Sequence, residues 1–194
     1  MIAAEEVVLV LLAAGRSERF GAADKLAADL NGTPLGLHVV AALADVPFRA
    51  RLAVRSGCGL DVAAYGYTDI ANPRPERGMS GSVRLGVECA RTVGAAAVLI
   101  ALADMPCVTA AHVRRLLDAG GADDAVVASS DGTKPTPPAL FGRGRFDALL
   151  GLTGDAGARD LLRGGRHVAA DPAELVDIDT LEELRALRDR VSRR

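Results

Sequence analysis

VVLVLLAAGRSERFGAADKL, residues 7–26, runs six large apolar side chains into Ala13-Ala14-Gly15 and then sets Arg16, Arg19 and Lys25 within ten positions. The apolar run has no period-two alternation, which predicts a strand over Val7–Leu12 buried on both faces, as inside a parallel sheet. A turn without bulk lets a ligand approach the backbone. Its N–H groups can face an anion, and the three cations can hold one. The stretch contains neither G-x-x-x-x-G-K-[ST] nor G-x-G-x-x-G, so it is neither a P-loop nor a standard dinucleotide turn. It reads as a loop for a phosphate-rich ligand.

Outward from this strand, apolar runs alternate with helical patterns. Pro34–Ala44 reads as a helix with Leu35, His38, Val39 and Ala42 along one stripe. Arg51–Arg55 and Thr68–Ala71 read as short strands, Met79–Val93 as a helix and Ala96–Leu102 as a second fully buried strand. Thr109 is the expected N-cap of a helix over Ala110–Ala119, which ends at Gly120-Gly121. A strand over Asp124–Ala128, a proline-rich loop over Lys134–Pro138, and short helices over Phe146–Leu150 and Ala156–Leu162 follow. Val176–Ile178 is strand-like, and Thr180 with Glu183 forms the S/T-x-x-E capping box of a last helix, Leu181–Val191. The alternation predicts an α/β, three-layer α/β/α domain with a mostly parallel, Rossmann-like sheet, spanning 1–194 without a linker or repeat.

Composition narrows the function classes. A chain of 194 residues is expected to bury roughly 70% of its unfolded surface in one core. With 49% hydrophobic and 25% charged residues it is neither disordered nor low in complexity. The formal net charge of -2 gives no general field for nucleic acid or an anionic membrane, so a polyanion must be held locally. Aromatics at 3%, with no Trp, supply no stacking platform for single-stranded nucleic acid. No apolar run approaches the ~18 residues of a membrane span. The start, MIAAEE, is acidic where a signal peptide is basic, so a cytoplasmic location is expected. Cys58, Cys89 and Cys107 are odd in number and lack C-x-x-C spacing, which reads as buried thiols and not as a disulfide framework or zinc site. His38, His112 and His167 read as structural.

In an open α/β sheet, ligands bind outside the carboxyl ends of the strands. ALADMPCVT sets Asp104 just past the end of Ala96–Leu102, and LVDIDTLEEL brings Asp177 and Asp179 to the end of another expected strand. Mg²⁺ favours one or two carboxylates plus phosphate oxygens and water, so Asp104 with one of the later pair has the right donors. Each Asp taken alone also reads as turn or cap chemistry. RPERGMSGSVRLGVE places Gly78, Ser80, Gly81 and Ser82 at a helix start. Such a start suits an anion or the polar edge of a base, or simple capping by Ser80.

LLAAGRSERFGAADKL, GMSGSVRLG, LADMPCVT, GDAGARDLL and VDIDTLEEL, in that order over residues 7–184, resemble the MobA-like nucleotidyltransferases, and within them the molybdenum cofactor cytidylyltransferase branch. The resemblance implies a nucleotide-diphospho-sugar transferase type of fold that binds Mg-NTP and transfers NMP, CMP from CTP in this branch, to molybdopterin or its molybdenum-loaded form. Leu12, Ala13, Ala14, Gly15, Arg16 and Ser17 would then line the nucleotide, and Gly78, Ser80 and Ser82 the base. Arg19 would neutralise the leaving pyrophosphate and Lys25 the α-phosphate. Asp104 and Asp179 would hold Mg²⁺, with Asp177 as the other choice for the second carboxylate. Asp155 and Arg159 would lie near the acceptor, and a molybdenum hydroxylase would receive the product.

The chain departs from the branch in two places. KPTPPALF has Thr136 and Pro137 where Gly-His-Pro is usual, which bears on acceptor binding, and MSGS has Gly81 where Ser is common. The resemblance leaves open GTP as donor or another small phosphorylated acceptor. It also leaves open an oxidoreductase acting on a nicotine-derived pigment and a non-catalytic chaperone that delivers cofactor.

Overall fold

The computed structural model describes residues 1–14, 20, 24–57, 59–154 and 158–191. Strand β1 (Val7–Ala13) is buried along its whole length. It pairs in parallel with β4 (Ala50–Arg55) on one side and β6 (Ala97–Leu102) on the other. Its side chains divide by the pleat: Val7, Leu9, Leu11 and Ala13 enter one core, Val8, Val10 and Leu12 the other. A strand that feeds two cores has no polar face, which is why its sequence shows no alternation.

The seven-stranded sheet has the order β5-β4-β1-β6-β8-β7-β9, where β5 is Tyr67–Ala71, β7 Val126–Ser130, β8 Pro135–Gly142 and β9 Arg166–Ala169. Strands β5, β4, β1 and β6 run parallel, β8 is antiparallel to both β6 and β7, and β9 is parallel to β7. A small hairpin of β2 (Asp29–Leu30) and β3 (Thr33–Pro34) turns on Asn31 and Gly32, both at positive φ. That is the Asn-Gly chemistry of a tight hairpin.

Helices cover both faces. On one, α1 (Leu35–Ala42) and α3 (Ala110–Ala119) pack through Val39, Val40, Val113 and Leu116. On the other, α2 (Met79–Thr92), α4 (Phe146–Leu150) and α5 (Arg159–Arg163) pack through Val83, Val87, Phe146, Leu149 and Leu162. The expected α/β three-layer architecture is therefore present. Helix α2 crosses β1 so closely that a Cβ on Gly86 would lie 2.4 Å from Val10 Cγ1. The last helix, α6 (Leu181–Val191), buries Leu184 and Leu187 with Ile178, Leu30 and Leu35.

Both expected caps form. Thr109 Oγ1 accepts from His112 N at 3.1 Å. Glu183 N donates to Thr180 Oγ1 at 3.2 Å, while Glu183 Oε2 accepts from the Thr180 and Asp179 amides, each at 2.8 Å.

Several expectations need correction. Lys134–Pro138 is not a loop: Pro135–Pro138 begin β8, beyond the last β6 pairing at Ile100–Ala139, where a missing N–H costs no bond on that side. The strand expected over Asp124–Ala128 lies at Val126–Ser130. Val176–Ile178 is no strand; Ile178 N donates to Asp104 O at 3.0 Å and its side chain packs under α6. Strand β9, four residues long and mostly exposed, carries no periodic signal in the sequence. The stripe on α1 is rotated, burying Gly36 and Val40 and leaving Ala42 exposed. Cys89 and Cys107 are half-buried, and Cys58 lies outside the described residues. No described helix is long and apolar enough to cross a membrane.

Candidate active site at the carboxyl ends of the parallel strands

Parallel pairing brings the ends of β1, β4, β5 and β6 to one edge of the sheet. Leu12 and Ala13 end β1 there and Ala14 follows, all three buried, with Leu12 O accepting from Ala103 N at 3.0 Å and Ala14 O from Ser56 Oγ at 3.3 Å. Gly15, Arg16, Ser17 and Arg19 lie outside the described residues, as does Asp155.

Lys25 opens a 3₁₀ turn, Lys25–Ala27, capped by Asp24, whose carboxylate accepts from Leu26 N at 3.0 Å. The turn aims a side chain that is only 11% exposed back across the edge of the sheet. Its Nζ donates to Asp104 Oδ2 at 2.8 Å and to Asp179 Oδ1 at 3.1 Å. Asp104 is delivered by the end of β6, and Asp179 by the segment pinned through Ile178 N to Asp104 O. Three distant parts of the chain thus meet on one ammonium group.

The electrostatics follow from that meeting. Burial alone would lower the Lys25 pKa, but the Asp104 and Asp179 carboxylates outweigh it and hold the ammonium above its ordinary value. Burial raises the Asp104 carboxyl, Lys25 works against this, and nearby Asp177 adds to the rise. Asp104 Oδ1 is buried with no hydrogen-bond partner among the described residues. A buried carboxylate oxygen without a partner is costly, and a cation relieves that cost. No group of three or more His, Cys, Asp or Glu side chains among the described residues forms a metal cluster. Two carboxylates at an open edge fit Mg²⁺, which takes few protein ligands and keeps water and phosphate oxygens for the rest.

Asp104 and Asp179 are therefore brought together on Lys25, while Asp177 lies near Asp104 without a hydrogen bond to Lys25. It lines a cleft of about 530 Å³ with Lys134 and Arg159 at its polar edge and Ile100, Leu102 and Phe141 among its apolar walls. The Asp177 and Leu102 sides of this cleft adjoin the Lys25 cluster in sequence. Thr136 and Pro137, the departure noted above, also line it.

At the start of α2, Gly78 holds φ 75° and ψ -169°, a conformation essentially reserved for glycine. Ser80 is not the cap; its Oγ donates to Arg77 O at 3.4 Å. Ser82 Oγ accepts from Asn72 Nδ2 at 3.0 Å, and both residues are buried. Asn72 also accepts from Arg74 N at 2.9 Å, so it fixes the turn between β5 and α2. Sequence reading missed Asn72, although an Asn-Pro pair just past a strand is a turn signal.

Residues 9–171 match the model of the MobA-like NTP transferase domain. The chain belongs to this family. It is 34% identical to the purine catabolism protein PucB of Bacillus subtilis over 94% of this chain and 96% of that one. It is 28% identical to a molybdenum cofactor guanylyltransferase of Cupriavidus taiwanensis over 96% and 98% of the two chains. The crystal structure of Rv0371c from Mycobacterium tuberculosis in complex with manganese superposes with a TM-score of 0.72 at 26% identity, over 94% of this chain and 98% of that one. The fold is that of the nucleotide-diphospho-sugar transferases, and the protein is a nucleotidyltransferase of the MobA-like family. Its candidate site brings the Lys25 ammonium together with the Asp104 and Asp179 carboxylates. His38, His112 and His167 all bond within the fold, to Leu30 O, Ser129 Oγ and Leu162 O.

Proposed function

We propose that this single-domain nucleotidyltransferase transfers CMP from Mg-CTP to the phosphate of molybdopterin or its molybdenum-loaded form, releasing pyrophosphate in the cytoplasm for onward use by a molybdenum hydroxylase. The observation that carries the reading is the buried ammonium of Lys25 shared by Asp104 and Asp179 at the sheet edge, next to a cleft large enough for a second substrate.

An oxygen of the acceptor phosphate attacks the α-phosphorus in line and forms the new P–O bond. The bond from the α-phosphorus to its bridging oxygen breaks, and pyrophosphate leaves with that electron pair. The attacking oxygen is already anionic, so no general base is needed. What must be overcome is repulsion between anions, by positioning and by charge.

Lys25 receives the α-phosphate, Arg19 the departing pyrophosphate, and residues 12–17 the nucleotide, with Gly78, Ser80 and Ser82 at its base. Asp104 and Asp179 hold the metal; when bound, Mg²⁺ supplies the charge that neutralises the triphosphate. Until then Lys25 keeps the two carboxylates together and so preforms their spacing. Arg159 and Asp155 flank the acceptor in the cleft. GTP is the second reading for the donor, favoured by the guanylyltransferase relative.

The test is pyrophosphate release from CTP, GTP and ATP with Mg²⁺, with and without molybdopterin. Acceptor-dependent release from CTP supports the reading, and release from GTP alone replaces the donor. Silence with every nucleotide in the presence of molybdopterin removes the acceptor.

A further inference from the structure

The cleft owes one wall to an irregularity in the sheet. The β7–β8 register runs Val126–Phe141, Val127–Leu140 and Ala128–Ala139, then jumps to Ser129–Thr136 and Ser130–Pro135. Pro137 and Pro138 therefore have no residue opposite them on β7. Neither carries an N–H, so the ladder loses no donor. The buried carbonyl of Pro138 takes a donor from outside the backbone ladder.

That donor is a side chain. Ser129 Oγ donates to Pro138 O at 2.6 Å, and His112 Nε2 lies 2.7 Å from the same Ser129 oxygen. A hydroxyl has one proton. Since Pro138 takes it, His112 must donate from Nε2. Arg115 donates from its guanidinium to His112 Nδ1 at 2.9 Å, which requires that nitrogen to be unprotonated. The two bonds agree on one neutral tautomer.

Arg115 is steadied in turn by Glu174 at 3.6 Å, and Glu174 accepts from Thr109 Oγ1 at 2.6 Å. His112 and Ser129 are each 0% exposed. The relay is therefore not a nucleophile and its base: its serine points into the protein and has spent its proton on a carbonyl. Its output is the position of Pro138, and with it Pro137 and Thr136, which line the cleft.

We propose that His112 and Ser129 are positioning residues for the acceptor: together they hold the Thr136–Pro138 segment as a fixed wall of the cleft. This rests on the cleft being the acceptor's subsite. Loss of the hydroxyl removes the side-chain donor from the buried Pro138 carbonyl and the acceptor from His112 Nε2, so the contact that ties the segment to α3 is lost. A displacement of about 1 Å in a positioning element is enough to cost roughly 10²-fold.

The variants are Ser129→Ala, His112→Ala and His112→Gln, the last keeping an amide donor within reach of Ser129. With molybdopterin as acceptor, the first two are expected to raise its KM at least ~10-fold and to leave the nucleotide KM within about twofold. His112→Gln is expected to restore most of the loss. A merely structural role would lower the melting temperature without separating the two KM values. Unchanged acceptor KM in cooperatively melting variants overturns the proposal, as does an equal rise in both KM values.

Wild-type protein that releases no pyrophosphate with molybdopterin overturns the proposed acceptor instead. The crystal structure of Ser129→Ala then decides the point. Pro137 within about 0.5 Å of its wild-type position overturns the positioning role, and a shift of about 1 Å or more supports it.

Discussion

Lys25 Nζ lies 2.8 Å from Asp104 Oδ2, a bond that joins residues 79 positions apart across the carboxyl edge of the sheet. It places the chain's buried lysine against the carboxylate whose other oxygen has no partner among the described residues. On the proposed roles, Lys25→Ala and Asp104→Asn each lower kcat by at least ~10²-fold, the size typical of lost transition-state contacts. Steady-state pyrophosphate release checks this, with circular dichroism to verify folding. Near-normal rates in either variant would move the chemistry elsewhere.

Asp177 and Asp179 sit two residues apart, yet only Asp179 reaches Lys25, at 3.1 Å, while Asp177 lines the cleft. Asp179→Asn should therefore raise the Mg²⁺ concentration needed for half-maximal rate by roughly tenfold, as loss of one carboxylate ligand does. Asp177→Asn should leave the Mg²⁺ requirement unchanged and alter the acceptor KM. Magnesium titrations of the two variants separate the roles, and a reversed pattern would exchange them.

Much of this arrangement is legible in the sequence because burial and position write it there. The unbroken apolar runs of β1 and β6 announce strands covered on both sides, and an Asp two residues past such a strand must sit at the sheet edge. Thr180 and Glu183 show the start of α6 through capping chemistry alone.

What the sequence hides is set by partners distant in the chain. Strand β9 is four residues long and mostly exposed, with only Val168 packed against the core, so its pairing with β7 makes it a strand. The prolines of β8 read as loop because the neighbour that ends short of them, β6, is not visible locally. Asp177 and Asp179 are equivalent by spacing; the Ile178 N bond to Asp104 O decides which of them faces Lys25.

Gly86 is a packing requirement and not a ligand contact. An added Cβ would meet Val10 Cγ1 at 2.4 Å, and Val10 is a fully buried, β-branched side chain with no room to turn. The better helix propensity of alanine does not offset the overlap. Gly86→Ala should destabilise by about 1–3 kcal/mol in urea unfolding, the range for overpacked cores. Both KM values should stay unchanged, and a stabilised variant would mean that α2 can lift from β1 without loss.

His112 makes stability depend on pH in a window of its own. Burial first, then the Arg115 guanidinium, lower its pKa below 6.5, with Glu174 opposing them. The unfolded chain therefore binds this proton more readily than the folded one. Below the unfolded value of 6.5, protons favour unfolding until the lower folded value is passed, so stability falls as pH falls through that interval. The lowered carboxyls of Asp69, Asp131 and Glu183 act in the same direction, but only below their ordinary values of 3.8 to 4.5. The melting temperature of the wild type should drop between pH 7 and pH 5 by more than that of His112→Gln, which has no proton to gain. Parallel curves for the two proteins would mean that the His112 imidazole is as easily protonated in the folded state as in the unfolded one, and that the Arg115 and Ser129 bonds do not hold it neutral.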